Sequence, residues 1–125
     1  MRNGADAEGC RVLIVEDNFL LAMEVETVLR RHGYVVLGPV GTVEQALALL
    51  ERDGWPDVAV LDVDLHGRRV TPVAAALRSR QVPLVLVTGY AEPQLKEPEL
   101  QDLPRLDKPV RGQDVVRALG RALRG

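Results

Sequence analysis

The sequence is poor in the features that mark several common classes of protein. Its one cysteine, Cys10, has no partner for an internal disulfide or a thiolate metal site, and we expect it to be inert. No apolar run approaches the ~20 residues of a membrane span, and the first ten residues lack the apolar segment of a secretory signal. The net charge of −2 gives no general attraction to nucleic acid or anionic membranes. We therefore expect a cytoplasmic protein without a direct nucleic-acid or membrane partner.

The length and composition favour a single globular domain. The chain has 125 residues, of which 46% are hydrophobic and 27% are charged. This length is enough for one ordinary domain with a buried core. The sequence contains neither an internal repeat nor a low-complexity segment. We predict a disordered leader at residues 1–9 and one domain at residues 10–125.

Five apolar runs predict β-strands. They cover residues 11–16, 34–38, 57–62, 83–88 and, more briefly, 105–107. The run at 57–62 is apolar throughout its middle, which is typical of a strand covered on both faces. Stretches with helical apolar spacing separate the strands. This alternation predicts an α/β domain with a parallel sheet between two layers of helices.

The starts of two helices are marked by capping residues. Thr42 and Gln45 have the spacing of a capping box, and they predict that a helix begins there. Thr71 and Pro72 suit the N-cap and first positions of the next helix. Prolines interrupt the stretch 91–104, so the fourth helix is expected to be weak or irregular.

Polar residues follow four of the predicted strands. They are the pair Glu16-Asp17, then Asp62, Thr88 and Lys108. Taken singly, the acid pair is typical of a capped turn, Thr88 of a turn, and Lys108 of a solvated side chain. Parallel strands bring their carboxyl ends to one edge of the sheet, where ligands bind. We therefore predict that these residues form one functional site.

The chemistry of this predicted site indicates a divalent cation. Glu16, Asp17 and Asp62 would repel one another in one cleft unless a cation or a proton neutralised them. Mg²⁺ accepts a few carboxylate ligands while keeping room for phosphoryl oxygens. Lys108 and Thr88 would then serve as cationic and hydrogen-bonding partners of a phosphoryl group.

The motifs at the strand ends resemble those of the receiver domain of two-component response regulators. The matching segments are "VED" at 15–17, "LDVDL" at 61–65, "LVTGY" at 86–90 and "DKPV" at 107–110. The resemblance extends over residues 10–124. It implies a flavodoxin-like (βα)5 three-layer sandwich whose five parallel strands have the order 2-1-3-4-5.

The resemblance also implies roles for the residues of the site. Asp62 would be the phosphoacceptor, taking a phosphoryl group from a histidine kinase or histidine phosphotransferase. Thr88 would turn its hydroxyl to that group, and Lys108 would contact both Asp62 and the group. The Lys108-Pro109 peptide would be cis, an isomer accessible because proline lowers the trans preference to ~0.5–1 kcal/mol.

The same resemblance supplies a set of Mg²⁺ ligands. Glu16, Asp17 and Asp62 would give carboxylate oxygens, with Glu16 acting through water. Asp64 would give its main-chain carbonyl.

The sequence departs from the family pattern at the switch position. An aromatic residue usually lies three positions before the lysine, where this chain has Arg105. Tyr90 could replace it in the switch and slow hydrolysis of the acyl phosphate, or could simply be a core or rim residue. His66 stands where a loop proline is common, and a solvated histidine is expected.

A subgroup of the family shares some of these departures. "LVTGY", the interrupted fourth helix and the missing aromatic partly resemble the FAT GUY single-domain receivers. The leading Phe-Ala of that motif is Leu86-Val87 here.

The resemblance predicts a single-domain response regulator that signals through contact with a downstream protein. It would be a monomer or weak homodimer, and no enzyme beyond self-phosphorylation and autodephosphorylation. One alternative is a receiver-fold binding module that works without phosphorylation. Another is a phosphatase of the haloacid-dehalogenase type, because "LDVDL" contains Asp-x-Asp. In that family the motif lies on the first strand, whereas here the acid pair precedes it.

Overall fold

The computed structural model describes residues 8–89 and 95–125. The strands in these residues are β1 (Arg11–Val15), β2 (Val35–Val40), β3 (Val58–Asp62), β4 (Asp64–Leu65), β5 (Arg68–Arg69), β6 (Leu84–Thr88) and β7 (Arg105–Asp107). The α-helices are α1 (Phe19–Arg31), α2 (Val43–Asp53), α3 (Thr71–Ser79) and α4 (Gly112–Arg124). None of these helices is long and apolar enough to cross a membrane.

Five of the strands form one parallel sheet in the order β2-β1-β3-β6-β7. Counted among the sheet strands alone, this is the order 2-1-3-4-5, so the predicted flavodoxin-like fold is confirmed. The remaining strands, β4 and β5, form a small antiparallel hairpin directly after β3. This hairpin was not predicted from the sequence.

The sheet separates two apolar clusters, one on each face. On β3, Ala59 and Leu61 belong to the cluster under α2 and α3, whereas Val58 and Val60 belong to the cluster under α1 and α4. Every residue of β3 is buried. Burial on both faces explains why this strand has an apolar run instead of an alternating pattern.

Cys10 lies at the start of the folded part of the chain. It is fully buried in the cluster under α1 and α4. Its carbonyl accepts a hydrogen bond from the backbone N–H of Val35 at 2.8 Å, which fixes it at the start of the sheet. Residues 1–7 of the predicted disordered leader lie outside the described residues.

The two predicted helix starts have different outcomes. Thr42 is the N-cap of α2, and its side chain accepts a hydrogen bond from the Gln45 N–H at 3.0 Å, as predicted. The N-cap of α3 is Val70 and not Thr71, so that prediction was wrong by one residue. Val70 is fully buried, and its N–H donates to the Val63 carbonyl at 2.9 Å. This anchor lets the helix begin at Thr71 without a side-chain cap.

No α-helix lies between β6 and β7 in the described residues of that connection. Residues 95–104 contain a single 3-10 turn, Pro98–Leu100, which agrees with the predicted weak fourth helix. Leu100 is buried in the cluster under α2 and α3, and it anchors the turn to the domain. The last helix, α4, packs beside α1.

Candidate functional site

A cleft of about 310 Å³ opens at the carboxyl edge of the sheet. It lies where β3 and β6 end, next to the hairpin β4–β5 and the residue after β7. The residues that line it are Asp17, Asp62, Val63, Asp64, Arg69, Thr88, Gly89 and Lys108. Residues from distant parts of the sequence thus meet at the edge that the strand order predicts.

Two carboxylates and one ammonium group form the buried part of this site. Asp62 is 3% exposed at the end of β3, and Glu16 is 7% exposed just after β1. Lys108 Nζ lies 3.1 Å from Asp62 Oδ2 and 3.4 Å from Glu16 Oε2. The Asn18 N–H also donates to Glu16 Oε2 at 3.0 Å. One lysine therefore faces two buried acids.

Burial changes the acidity of these groups. Burial raises the pKa of Glu16 to about 7, and the charge of Asp62 adds to this effect, while the Asn18 N–H and Lys108 oppose it. Burial also raises the pKa of Asp62, although hydrogen bonds and Lys108 act in the opposite direction. For Lys108, burial acts to lower the pKa, but the two carboxylates outweigh it and the pKa rises. Burial therefore favours the protonated forms of the two acids, and Lys108 opposes this effect.

The acidic groups fit a hard divalent cation. Carboxylate oxygens of Glu16, Asp17 and Asp62 lie within 4.8 Å of one another. Oxygen donors of this kind are the ligands that Mg²⁺ prefers. The raised pKa of Glu16 comes mainly from burial, and a cation beside the carboxylate would favour its charged form. The donor set therefore suits Mg²⁺.

Asp17 lies beside the loop of the hairpin. Its Oδ2 accepts a hydrogen bond from the His66 N–H at 2.8 Å, and His66 Nδ1 lies 3.4 Å from the same oxygen. The His66 side chain is 78% exposed, in agreement with the expected solvated histidine. The backbone contact with Asp17 was not predicted. It places the hairpin loop against the acid pair.

The hydroxyl of Thr88 points to a different acid. Thr88 is 1% exposed, and its Oγ1 donates to Asp107 Oδ1 at 2.8 Å. Arg105 donates to the same oxygen through Nε at 3.1 Å and Nη2 at 3.0 Å. The hydrogen bond from Thr88 and the contacts of Arg105 lower the pKa of Asp107. Asp107 thus joins Thr88 to the residue at the usual aromatic position.

Sequence analysis missed two contributors to this region. The sequence signal that could have identified Asp107 was its position next to Lys108 in the "DKPV" motif. Arg69 lines the cleft from the hairpin, and nothing in the local sequence predicted this position.

The predicted site also includes the peptide bond before Pro109 and the side chain of Tyr90. The Lys108–Pro109 peptide bond is cis, which is the isomer that the resemblance implies. Tyr90 lies outside the described residues, so its predicted role stays a prediction.

Comparison with known proteins gives consistent matches. Residues 12–119 match the model of the response regulator receiver domain. The chain is 33% identical over 117 residues to the positive alginate biosynthesis regulatory protein of Pseudomonas aeruginosa, covering 90% of this chain and 47% of that protein. It is 33% identical over 88 residues to the transcriptional regulatory protein PdtaR of Mycobacterium tuberculosis, covering 70% of this chain and 42% of that protein. The chain therefore spans less than half the length of these relatives.

Solved structures show the same similarity. SdrG from Sphingomonas melonis Fr1 superimposes with a TM-score of 0.76 at 40% identity, covering 92% of this chain and 96% of that chain. The PhyR stress response regulator superimposes with a TM-score of 0.77 at 28% identity, covering 95% of this chain and 47% of that chain. On the evidence of its sheet order, its cleft and the family model that spans most of its length, the chain belongs to the response regulator receiver domain family.

Proposed function

We propose that this protein is a response regulator that accepts a phosphoryl group on Asp62 and passes the signal on by protein contact. The donor would be a histidine kinase or a histidine phosphotransferase. The observation that carries the proposal is the buried Asp62 carboxylate, 3.1 Å from Lys108 and grouped with the carboxylates of Glu16 and Asp17. Membership in the receiver family supports the same conclusion.

In the proposed reaction, one carboxylate oxygen of Asp62 attacks the phosphorus atom of the donor. The new oxygen–phosphorus bond forms as the bond to the donor's imidazole nitrogen breaks, and the imidazole then takes up a proton. Transfer of this kind depends mainly on positioning and on neutralising charge. Lys108 is placed to do both, because it already pairs with Asp62 and would contact the incoming phosphoryl oxygens.

Glu16, Asp17 and Asp62, together with the main-chain carbonyl of Asp64, are the proposed holders of Mg²⁺. When bound, the ion would neutralise charge that develops on the phosphoryl oxygens. Glu16 and Asp62 are almost fully buried, and both carboxylates lie within hydrogen-bonding distance of Lys108. Asp17 is held by the His66 N–H, so its carboxylate is also oriented before any ligand arrives.

In this proposal, the Thr88 hydroxyl changes its hydrogen-bond acceptor after phosphoryl transfer. Its hydroxyl donates to Asp107, so contact with a phosphoryl group on Asp62 requires that hydrogen bond to break. Thr88 is almost fully buried, and a buried hydroxyl without a partner is costly. We therefore expect Thr88 to exchange one acceptor for the other and not to occupy a state between them.

Signal output is proposed to occur through contact with a downstream protein, and membership in the receiver family supports this. A monomer or weak homodimer and a cytoplasmic location stay predictions. A docking module without phosphorylation is the second candidate, since Arg105 replaces the usual aromatic residue. The phosphatase interpretation is less well supported, because the family model that matches is the receiver domain.

The test is covalent labelling of the purified protein with acetyl phosphate and Mg²⁺, followed by mass spectrometry. We expect one acid-stable, base-labile phosphoryl adduct that maps to Asp62 and is absent from Asp62→Asn. Asp102→Asn is the matched control, because Asp102 is an exposed aspartate outside the lining of the cleft. The proposal fails if the wild-type protein forms no adduct, or if Asp62→Asn is labelled as well as the control.

A further inference from the structure

Arg69 brings a second cation to the cleft. It is the last residue of β5, and it lines the cleft together with Asp62 and Lys108. Its Nε donates to Glu97 Oε2 at 2.8 Å, and the two side chains are 32% and 28% exposed. The neighbouring Arg68 pairs with Glu44 on α2 instead and is absent from the lining of the cleft. The hairpin therefore directs one of its two arginines toward the site.

Glu97 connects this arginine to the segment between β6 and β7. Its carbonyl accepts a hydrogen bond from the Leu100 N–H at 2.9 Å and so closes the 3-10 turn. Its second carboxylate oxygen, Oε1, is buried and has no hydrogen-bond partner among the described residues. The Arg69–Glu97 pair is partly open to solvent, which screens the attraction between its charges. A ligand that carries more charge than one carboxylate can therefore compete with Glu97 for Arg69.

A phosphoryl group on Asp62 has the chemistry of such a ligand. It presents three acceptor oxygens and carries a charge of about −1.5 to −2. Guanidinium groups bind oxygen atoms of this kind through paired hydrogen bonds, a geometry that an ammonium group lacks. Lys108 already faces two carboxylates at once. A phosphoryl group would therefore add negative charge that Lys108 does not neutralise alone.

We infer that Arg69 is a second cationic ligand of the phosphoryl group on Asp62, and that its recruitment weakens the ion pair with Glu97. This inference rests on the proposed function. Before transfer, Arg69 is held at the wall of the cleft by Glu97. After transfer, it turns to the phosphoryl oxygens and releases the turn Pro98–Leu100 from the hairpin. Residues 97–100 thereby respond to the state of Asp62.

The test measures binding of beryllofluoride, a phosphoryl mimic, with Mg²⁺ by amide NMR titration. Arg69→Ala should bind the mimic about tenfold more weakly, because it loses charged hydrogen bonds to the ligand. Glu97→Gln should bind it several-fold more tightly, because Arg69 no longer has to leave a carboxylate. If the Arg69–Glu97 pair only stabilised the fold, the two substitutions would not change the affinity for beryllofluoride in opposite directions. Arg68→Ala is the matched control and should bind as the wild type does.

Two further readouts complete the test. In the wild type, the mimic should shift the amide signals of Glu97, Glu99 and Leu100, and the ligand-free Arg69→Ala spectrum should already show these signals near their ligand-bound positions. In the double variant Arg69→Ala/Glu97→Gln, the second change should have no further effect on binding. Mimic-induced shifts at Asp62, Thr88 and Lys108 without any at 97–100 would overturn the inference. So would equal affinity of Arg69→Ala and Arg68→Ala. A phosphoryl adduct on Asp62 in the wild type would support the proposed function whether or not Arg69 takes part. Failure to form this adduct would overturn both the proposed function and the inference about Arg69.

Discussion

The raised pKa of Glu16 predicts an unusual dependence of stability on pH in the absence of Mg²⁺. The pKa of Glu16 is about 7 in the folded protein, whereas its usual value is 4.5. Between these values the folded state binds more protons than the unfolded state, so the free energy of unfolding falls as pH rises. The difference of about 2.5 pKa units corresponds to roughly 3 kcal/mol at 1.36 kcal/mol per unit. The raised pKa of Asp62 acts in the same direction.

The assay is urea unfolding at pH 5 and pH 8, in EDTA and then in excess Mg²⁺. Without the metal, we expect the wild type to lose up to about 3 kcal/mol of stability between these values. Excess Mg²⁺ should restore about 2.7 kcal/mol at a concentration one hundred times its dissociation constant. Acids with lowered pKa values, such as Asp107 and Asp53, titrate below this window and contribute a constant amount within it.

Glu16→Gln is the control for this prediction. The variant lacks the titrating group, so its stability in EDTA should change much less between pH 5 and pH 8. It should also be more stable than the wild type at pH 8 in EDTA, because a neutral amide is less costly to bury than a carboxylate. Equal pH dependence of the two proteins, or a wild type that gains stability with pH in EDTA, would refute the reasoning.

Two other substitutions test neighbouring parts of the structure. Asp107→Ala removes the acceptor of the Thr88 hydroxyl, so Thr88 should turn to the cleft more readily and beryllofluoride should bind up to about tenfold more tightly by NMR titration; weaker binding would contradict the proposed exchange of acceptors. Gly112→Ala places a Cβ 2.7 Å from Cγ2 of Val28, where α4 meets α1, and should destabilise the protein by about 1–3 kcal/mol in urea unfolding. The double variant with Val28→Ala should recover part of that loss, and a loss that stays the same would mean that this contact is not the cause.

The main sheet was predictable because the apolar residues of its strands indicate that the strands are buried. The run at β3 is apolar because side chains on both of its faces enter a core cluster. The hairpin β4–β5 escaped prediction because each of its strands has two residues, too few for any periodicity. The burial of Cys10 was not predicted for a different reason. Its neighbours in sequence are polar, but its burial is set by contacts with elements that come later in the chain.

The candidate site was predictable to the extent that strand ends define it. Glu16, Asp62, Thr88 and Lys108 all follow strands, and a parallel sheet brings such positions together whatever lies between them. Contacts that depend on loop geometry were not predictable in this way. The Arg69–Glu97 pair joins a hairpin to a 3-10 turn 28 residues away, and no local pattern encodes that distance. The direction of the Thr88 hydroxyl likewise depends on a side chain of a neighbouring strand.

The contacts of Asp107 suggest how a receiver domain with arginine at the usual aromatic position can still link Thr88 to its surface. Oδ1 of Asp107 accepts hydrogen bonds from both Thr88 and Arg105, so the two donors share one charged acceptor. If Thr88 turns to a phosphoryl group, Asp107 loses the hydrogen bond from Thr88 and keeps Arg105 as its donor. The hydrogen bonding of Asp107 then depends on the position of the Thr88 hydroxyl. The Arg105 side chain is 26% exposed, and the carboxylate of Asp107 beside it supplies a partner for the guanidinium group. The Asp107→Ala experiment therefore tests the Thr88 contact and the reason that arginine is compatible with this position.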